Sequence, residues 1–251
     1  MKLFRNKLRF RWVLWAALVL VPGFAQAGPA KPQFDAGIDY KVIDPPVAIP
    51  GAAKGKVTVV EFFWYGCPHC YHFEPYLDAW LEHKPADVQF IRIPAPLNPT
   101  WTIHARAYYA AQELGVLNRI HRPLFDAVQK EGPQLASEDA LTAFFAQHGV
   151  KAADFRAAYE SFTVDAEVRR ARALAQSMGI SGVPTLVVDG KFKTDASLAG
   201  GNEKILQVVD YLVRRESRQA AVDRTRIAST VRLKSAPSPA ANSQARGAHA
   251  R

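Results

Sequence analysis

Only two cysteines occur in the 251 residues, and they stand three apart as Cys67-Pro68-His69-Cys70. Ahead of them come an apolar, β-branched run, Val57-Thr58-Val59-Val60-Glu61-Phe62-Phe63, and then Gly66. Such a run reads as a buried strand. The stretch after the cysteines reads as a helix, and Val88-Gln89-Phe90-Ile91-Arg92-Ile93 reads as a second strand. Strand, helix, strand in that order implies parallel strands joined by a right-handed crossover. The two thiols thus fall where strand gives way to helix, at a spacing that can close into a small disulfide ring and reopen. With no third cysteine, they cannot be one corner of a larger disulfide framework.

Further along, Thr185-Leu186-Val187-Val188, then Asp189-Gly190, then Lys191-Phe192 reads as a hairpin. Asp-Gly suits a tight turn with positive φ. A helix from about Asn202 to Arg215 follows, with Ile205, Val208, Val209 and Leu212 on one face. From Thr102 to Met178 the pattern is helical throughout, with stops at Gly115, Gly132, Gly149 and Gly179 and an N-cap at Ser137. Four or five helices here cannot join the ladder of the sheet. They read as an all-α insert between the second strand and the hairpin.

The chain ends carry the charge. Lys2, Arg5, Lys7, Arg9 and Arg11 precede an apolar stretch, Trp12 to Phe24, and Ala25-Gln26-Ala27 offers a small-x-small cleavage site. This is the layout of an export signal; the stretch is short for a membrane span and is broken by Pro22 and Gly23. Cleavage after Ala27 would leave a soluble, extracytoplasmic chain, in a compartment where disulfides persist. The two termini account for the formal charge of +9, so residues 28–215 are almost neutral and offer no nucleic-acid footprint. Residues 216–251, rich in Ala, Ser and Arg with Pro237 and Pro239, have too little apolar surface to offset ordering entropy and are expected to be a disordered basic tail. The expected divisions are 1–27 signal, 28–98 and 179–215 the two parts of the sheet domain, 99–178 the helical insert and 216–251 the tail.

A helix beginning at Cys67 places Pro68 at its first position, where a missing N–H costs nothing. Cys67 then faces free N–H groups and the positive end of the helix dipole, which favour its thiolate. His69 adds a donor or a positive charge, and Cys70 lies one turn deeper. Cys67 is therefore the thiol that attacks or is attacked, and Cys70 the one that resolves the mixed disulfide. Stabilising the Cys67 thiolate stabilises the reduced pair, so His69 argues for a donor of disulfides over a reductant. A structural disulfide would close too small a loop to constrain the unfolded chain much. Half a zinc site would need His72, His83 or His104 to complete it.

Glu61-Phe62-Phe63, then Cys67-Pro68-His69-Cys70-Tyr71, with Gly182-Val183-Pro184 far downstream, resembles the DsbA family of periplasmic thiol:disulfide oxidoreductases. The resemblance covers roughly residues 36–215. It implies an α/β thioredoxin fold with the helical domain inserted between the second strand and the C-terminal hairpin. It also implies that Pro184 is a cis-proline facing the active site; the residues alone leave a trans proline opening an edge strand equally open. The backbone at Val183 would then pair with an extended substrate chain beside Cys67. Glu61 has two readings, a half-exposed strand position or a buried acid with a raised pKa that moves protons at Cys70; the resemblance favours the second, and Lys84 is a candidate partner. Trp64 and Tyr65 suit either an apolar patch for unfolded chains or the core.

The function that follows is an exported, monomeric protein disulfide oxidase that passes its Cys67–Cys70 disulfide to reduced folding proteins. No prosthetic group is implied. A single thiol pair needs an external oxidant, and the resemblance implies a quinone-linked membrane partner of the DsbB type. A disulfide isomerase or reductase on the same fold is the rival, and a non-catalytic binding module for unfolded chains stands behind it.

Overall fold

The computed structural model describes residues 33–235. The export-signal stretch with its site after Ala27, and residues 236–251, lie outside that range. A five-stranded mixed sheet is built from β1 (Lys41–Val42), β2 (Val57–Phe63), β3 (Val88–Pro94), β4 (Thr185–Val188) and β5 (Phe192–Asp195), in the order β1-β5-β4-β2-β3. β2 and β3 run parallel across α1 (Pro68–His83), while β2–β4, β4–β5 and β1–β5 are antiparallel. Every residue of β2 is buried. Its side chains alternate between two cores: Val57 and Val59 pack with Phe73 and Leu77 of α1 and with Ile205, Val208, Val209 and Leu212, whereas Val60 and Phe62 face the helical insert.

That insert is α2 (Pro99–Glu113), α3 (Leu117–Glu131), α4 (Glu138–Gln147), α5 (Ala152–Tyr159) and α6 (Phe162–Ser177), with a 3₁₀ turn at Gly132–Leu135. Side chains at the helix starts satisfy the free N–H groups. Asn98 accepts from Trp101 N at 3.0 Å, Ser137 from Ala140 N at 3.3 Å and Ser161 from Val164 N at 3.1 Å. The four glycines expected as stops all follow helices with positive φ, and Gly132 itself caps α3 at φ 56°. α1 ends where Pro85 forces Lys84 into an extended conformation, φ −57° and ψ 148°, and the helix runs through Pro75.

Two features depart from the sequence expectations. β1 adds a fifth strand, its two residues too short to leave a pattern, with Lys41 opposite Lys193 and Val42 opposite Phe192. α7 (Ala196–Ala199) leads into α8 (Asn202–Ser235), which continues 20 residues beyond Arg215, so residues 216–235 are helical rather than disordered. Low apolar content does not prevent this, because the packed first half of α8 supplies the nucleus that an isolated helix lacks. No Gly or Pro interrupts the run before Pro237. Glu216 is buried and accepts from Lys191 Nζ at 2.5 Å, and Gln219 donates to Asp223 one turn on at 3.1 Å. Among the described residues no helix is long and apolar enough to cross a membrane.

Candidate active site

Cys67 is the N-cap of α1, in extended conformation (φ −88°, ψ 114°), with Pro68 in the first turn. Its N–H is bonded to Trp64 O at 3.0 Å, which closes the turn from β2 into the helix. Both cysteines are free thiols. Cys67 retains 7% of its exposure and Cys70 none, so only the first sulfur can be reached from outside. The Cys67 thiol is lowered to about 6, first by a hydrogen bond from the Cys70 thiol. Burial opposes this, and the backbone N–H groups of Cys70 and His69 and the His69 charge assist it. His69 is thus the smallest of the named contributors, a lesser role than its place between the cysteines suggests. Burial pushes Cys70 well above the ordinary thiol range, and the hydrogen bond it gives Cys67 adds to this. One turn of helix separates a thiolate from a thiol.

Across from the helix tip, the loop before β4 brings in Val183 and Pro184. The Val183–Pro184 peptide bond is cis, and Cys67 Sγ lies 3.3 Å from the Val183 carbonyl oxygen, to which it donates only as the protonated thiol. A hollow of about 210 Å³ runs beside this contact, lined by His69, Val183, Pro184, Thr185 and Ser197. The structure therefore gathers Cys67, Pro68, His69, Cys70, Val183 and Pro184 around one sulfur.

Glu61 lies underneath, fully buried. It stands opposite Arg92 in the parallel register of β2 and β3, and Arg92 Nε donates to its Oε2 at 2.7 Å. Arg92 Nη2 also reaches both oxygens of Glu74, a buried residue of α1, at 3.1 and 3.2 Å. Burial pushes each carboxyl up to about 7, with Arg92 pulling the other way. Lys84 is not the partner; it donates to Val88 O at 2.8 Å. Among the described residues Glu61 Oε1 and His121 Nε2 have no hydrogen-bond partner. His121, held near 3 by burial and so neutral, places its other nitrogen 2.8 Å from the Tyr65 hydroxyl. The Glu61 charge is among the groups that raise Cys70.

A family model described as a DSBA-like thioredoxin domain matches residues 58–213, a span that holds both cysteines and Val183-Pro184. The chain belongs to the DsbA family. The thiol:disulfide interchange protein DsbA of Azotobacter vinelandii is 43% identical over 182 residues, 72% of this chain and 85% of that one. DsbA of Pseudomonas aeruginosa is 39% identical over 204 residues, 81% and 95% of the two chains. A crystal structure of P. aeruginosa DsbA superposes with a TM-score of 0.70 at 40% identity, covering 75% of this chain and 96% of that one. The Xylella fastidiosa oxidoreductase DsbA gives 0.65 at 37% identity, covering 71% and 95%. The protein is a thiol:disulfide oxidoreductase of the thioredoxin fold.

In this DsbA-family member the other flank of Cys67 is aromatic. Tyr65 belongs to the core, wholly buried against Phe63 and Phe125. Trp64 is half-buried and stacks on Trp101 with ring centroids 4.6 Å apart and planes 15° apart. Its Nε1 donates to His104 Nδ1 at 2.9 Å, and His104 Nε2 lies 3.1 Å from Leu135 O. With both nitrogens engaged and burial lowering its pKa, His104 is a neutral structural ring and no metal ligand. His72 is exposed, and His83 bonds Ala79 O at 2.9 Å within its own helix. Sequence reasoning did not find Arg92, Glu74 or His121 at the site, and named His104 only as a candidate zinc ligand. Of these only Arg92 left a signal, as the lone base at the fifth place of its strand, matching Glu61 at the fifth place of β2.

Proposed function

We propose that the protein is an exported oxidase that donates the Cys67–Cys70 disulfide to reduced, incompletely folded proteins. A substrate thiolate attacks Cys67 Sγ and the Cys67–Cys70 bond breaks. The departing electron pair rests on Cys70, which takes up a proton. A second substrate thiolate then attacks the substrate sulfur of the mixed disulfide and expels Cys67 as a thiolate. Two electrons pass from the substrate dithiol to the Cys67–Cys70 pair. The lowered Cys67 makes it the better leaving group in that last step, because a thiol of lower pKa departs faster. Glu61 supplies or receives the proton at Cys70, and the backbone of Val183 and Pro184 aligns the substrate chain. Reoxidation falls to a quinone-linked membrane partner of the DsbB type in the periplasm.

The observation that carries this reading is the opposite bias of the two thiols, Cys67 down to about 6 and Cys70 well above its ordinary range. That bias stabilises the reduced pair and so strengthens the disulfide as an oxidant. Thiol trapping in cells tests it: an alkylating reagent that slows gel migration should find the resting pair mostly oxidised. A mostly reduced pair would transfer the protein to the reductase reading. Cys70→Ser should abolish oxidation and accumulate mixed disulfides at Cys67, whereas a binding module without turnover would be indifferent to it.

A further inference from the structure

The match to the DsbA-like domain stops at residue 213, and a basic stripe begins at Arg214. From Arg214 to Arg251 the chain has nine basic and two acidic residues, whereas residues 28–213 carry a net charge of −3. On α8 this excess is gathered on one side. At about 100° of turn per residue, Arg214, Arg215, Val222 and Arg226 all fall within about 80° of Arg218, while Glu216 and Asp223 fall about 160° and 140° away. Both acids are also engaged elsewhere: Glu216 is buried against Lys191, and Asp223 accepts from Gln219 at 3.1 Å. Arg215 is pinned, donating to the Tyr40 hydroxyl at 3.1 Å with its guanidinium 4.8 Å over the Phe192 ring. Arg214, Arg218 and Arg226 are exposed, and among the described residues none of them enters an ion pair. A hollow of about 440 Å³ opens along the start of the stripe, lined by Gln33, Tyr211, Arg214, Arg215, Arg218 and Gln219, among others.

We propose that this stripe docks on the anionic surface of a phospholipid bilayer. Arg214 and Arg226 are 12 residues apart, which is about 18 Å along the helix. That span exceeds a single small anion and suits a layer of phosphate head groups. From Arg214 through residue 230, Val222 is the one large apolar member of the stripe, so it lacks the apolar centre of a protein–protein interface. Arginines without an internal partner turn their whole charge toward the lipid. Each adds attraction near an anionic surface, and that attraction fades within a Debye length. Residues 236–251 contribute Arg246 and Arg251 and no acid. The inference stands on charge placement and does not require the oxidase reading; taken with it, the stripe holds the enzyme beside a membrane-borne reoxidant.

The test is co-sedimentation of the protein with vesicles of phosphatidylcholine alone or with about 30% phosphatidylglycerol, at low salt. All variants are made from the same full chain and share one N-terminus, so any contribution from residues 1–32 cancels between them. The parent should bind the anionic vesicles at least about tenfold more tightly than the neutral ones, and raising NaCl from about 50 to about 300 mM should remove most of that gap. Arg214→Gln/Arg218→Gln/Arg226→Gln should weaken binding to anionic vesicles at least about tenfold. Lys54→Gln/Lys56→Gln/Lys151→Gln removes as many exposed charges elsewhere and should stay within about twofold of the parent. The triple Arg→Lys variant should stay within about threefold, since a bilayer reads charge rather than guanidinium shape. If the Gln variant fails to fold, the Lys variant and the salt series still decide. Equal binding to neutral and anionic vesicles, or an equal loss in the Lys54/Lys56/Lys151 variant, would overturn the proposal. So would a Lys variant as weak as the Gln variant, or retention by polyglutamate but not by anionic vesicles, either of which would assign the stripe to an acidic protein.

Discussion

The two flanks of the α1 tip are built from opposite materials. Beneath Cys70 lies charge taken out of water: Glu61 and Arg92, paired in the register of two parallel strands, with Glu74 of α1 on the other side of the guanidinium. Beside Cys67 lies neutral aromatic surface: Trp64 on Trp101, with a histidine that serves only as a hydrogen-bond bridge. A buried charge changes the protonation of its neighbours and makes stability depend on pH. A ring stack contributes shape and contact area and is insensitive to pH. The contrast gives the two flanks different physical characters around one pair of sulfurs, sensitive to pH below and insensitive to it beside.

The strongest way to break that contrast is to remove the central cation. Arg92→Met leaves two buried carboxyl groups without their counter-charge, and should lower unfolding free energy by about 3–5 kcal/mol at pH 7.5. At pH 5 both carboxyls accept protons, so the loss seen in urea melts should shrink; an equal loss at both pH values would mean that packing, not charge, explains it. Next comes Glu61→Gln. The folded carboxyl at about 7 lies above its ordinary value of 4.5, so its contribution is fully present at low pH and is lost as pH rises through about 7. In the oxidised protein, where neither thiol titrates, stability should therefore decline between pH 4.5 and 7, and the Gln variant should flatten the decline by on the order of 2 kcal/mol.

On the aromatic flank, Trp101→Ala should cost about 1–2 kcal/mol through the lost stack and exposed indole face, with no change in the Cys67 titration. A moved titration would show that the flanks are coupled. The smallest effect belongs to His69→Ala. Thiolate absorbance near 240 nm in the reduced protein should titrate around 6 for the parent. The variant should titrate higher by less than about one unit, since the Cys70 thiol and the backbone N–H groups remain. A rise of several units would put His69 ahead of Cys70 as the stabilising partner.

Much of this was legible in the sequence because local chemistry agreed with tertiary need. Apart from Glu61, Val57–Phe63 is β-branched or aromatic throughout and buries both faces; Asp189-Gly190 takes φ of 52° and 64° in the hairpin turn, and Ser137 caps α4. Pro68 marks the helix start and Cys67 its cap for the same local reason. The charge network was not legible in the same way. Glu74 is one of several acids on a helix whose face is settled only by packing, and His104 and His121 arrive from the insert through contacts 40 and 56 residues distant in the chain. Nothing in the sequence required Lys84 as the partner of Glu61, and parallel register chose Arg92. The tail misled for a related reason: composition judges whether a segment can fold alone, and residues 216–235 begin on a helix that is already formed.

That helix has 34 residues, so at about 1.5 Å per residue it is about 50 Å long. Its first half is bolted to the sheet through Ile205, Val208, Val209 and Leu212, and residues 218–230 are exposed throughout. Beyond the last buried contact at Glu216 the rod is a cantilever: each added turn moves the chain about 5 Å further from the catalytic domain. The exposed half of α8 is thereby a stiff strut that carries Ser235 about 28 Å beyond Glu216.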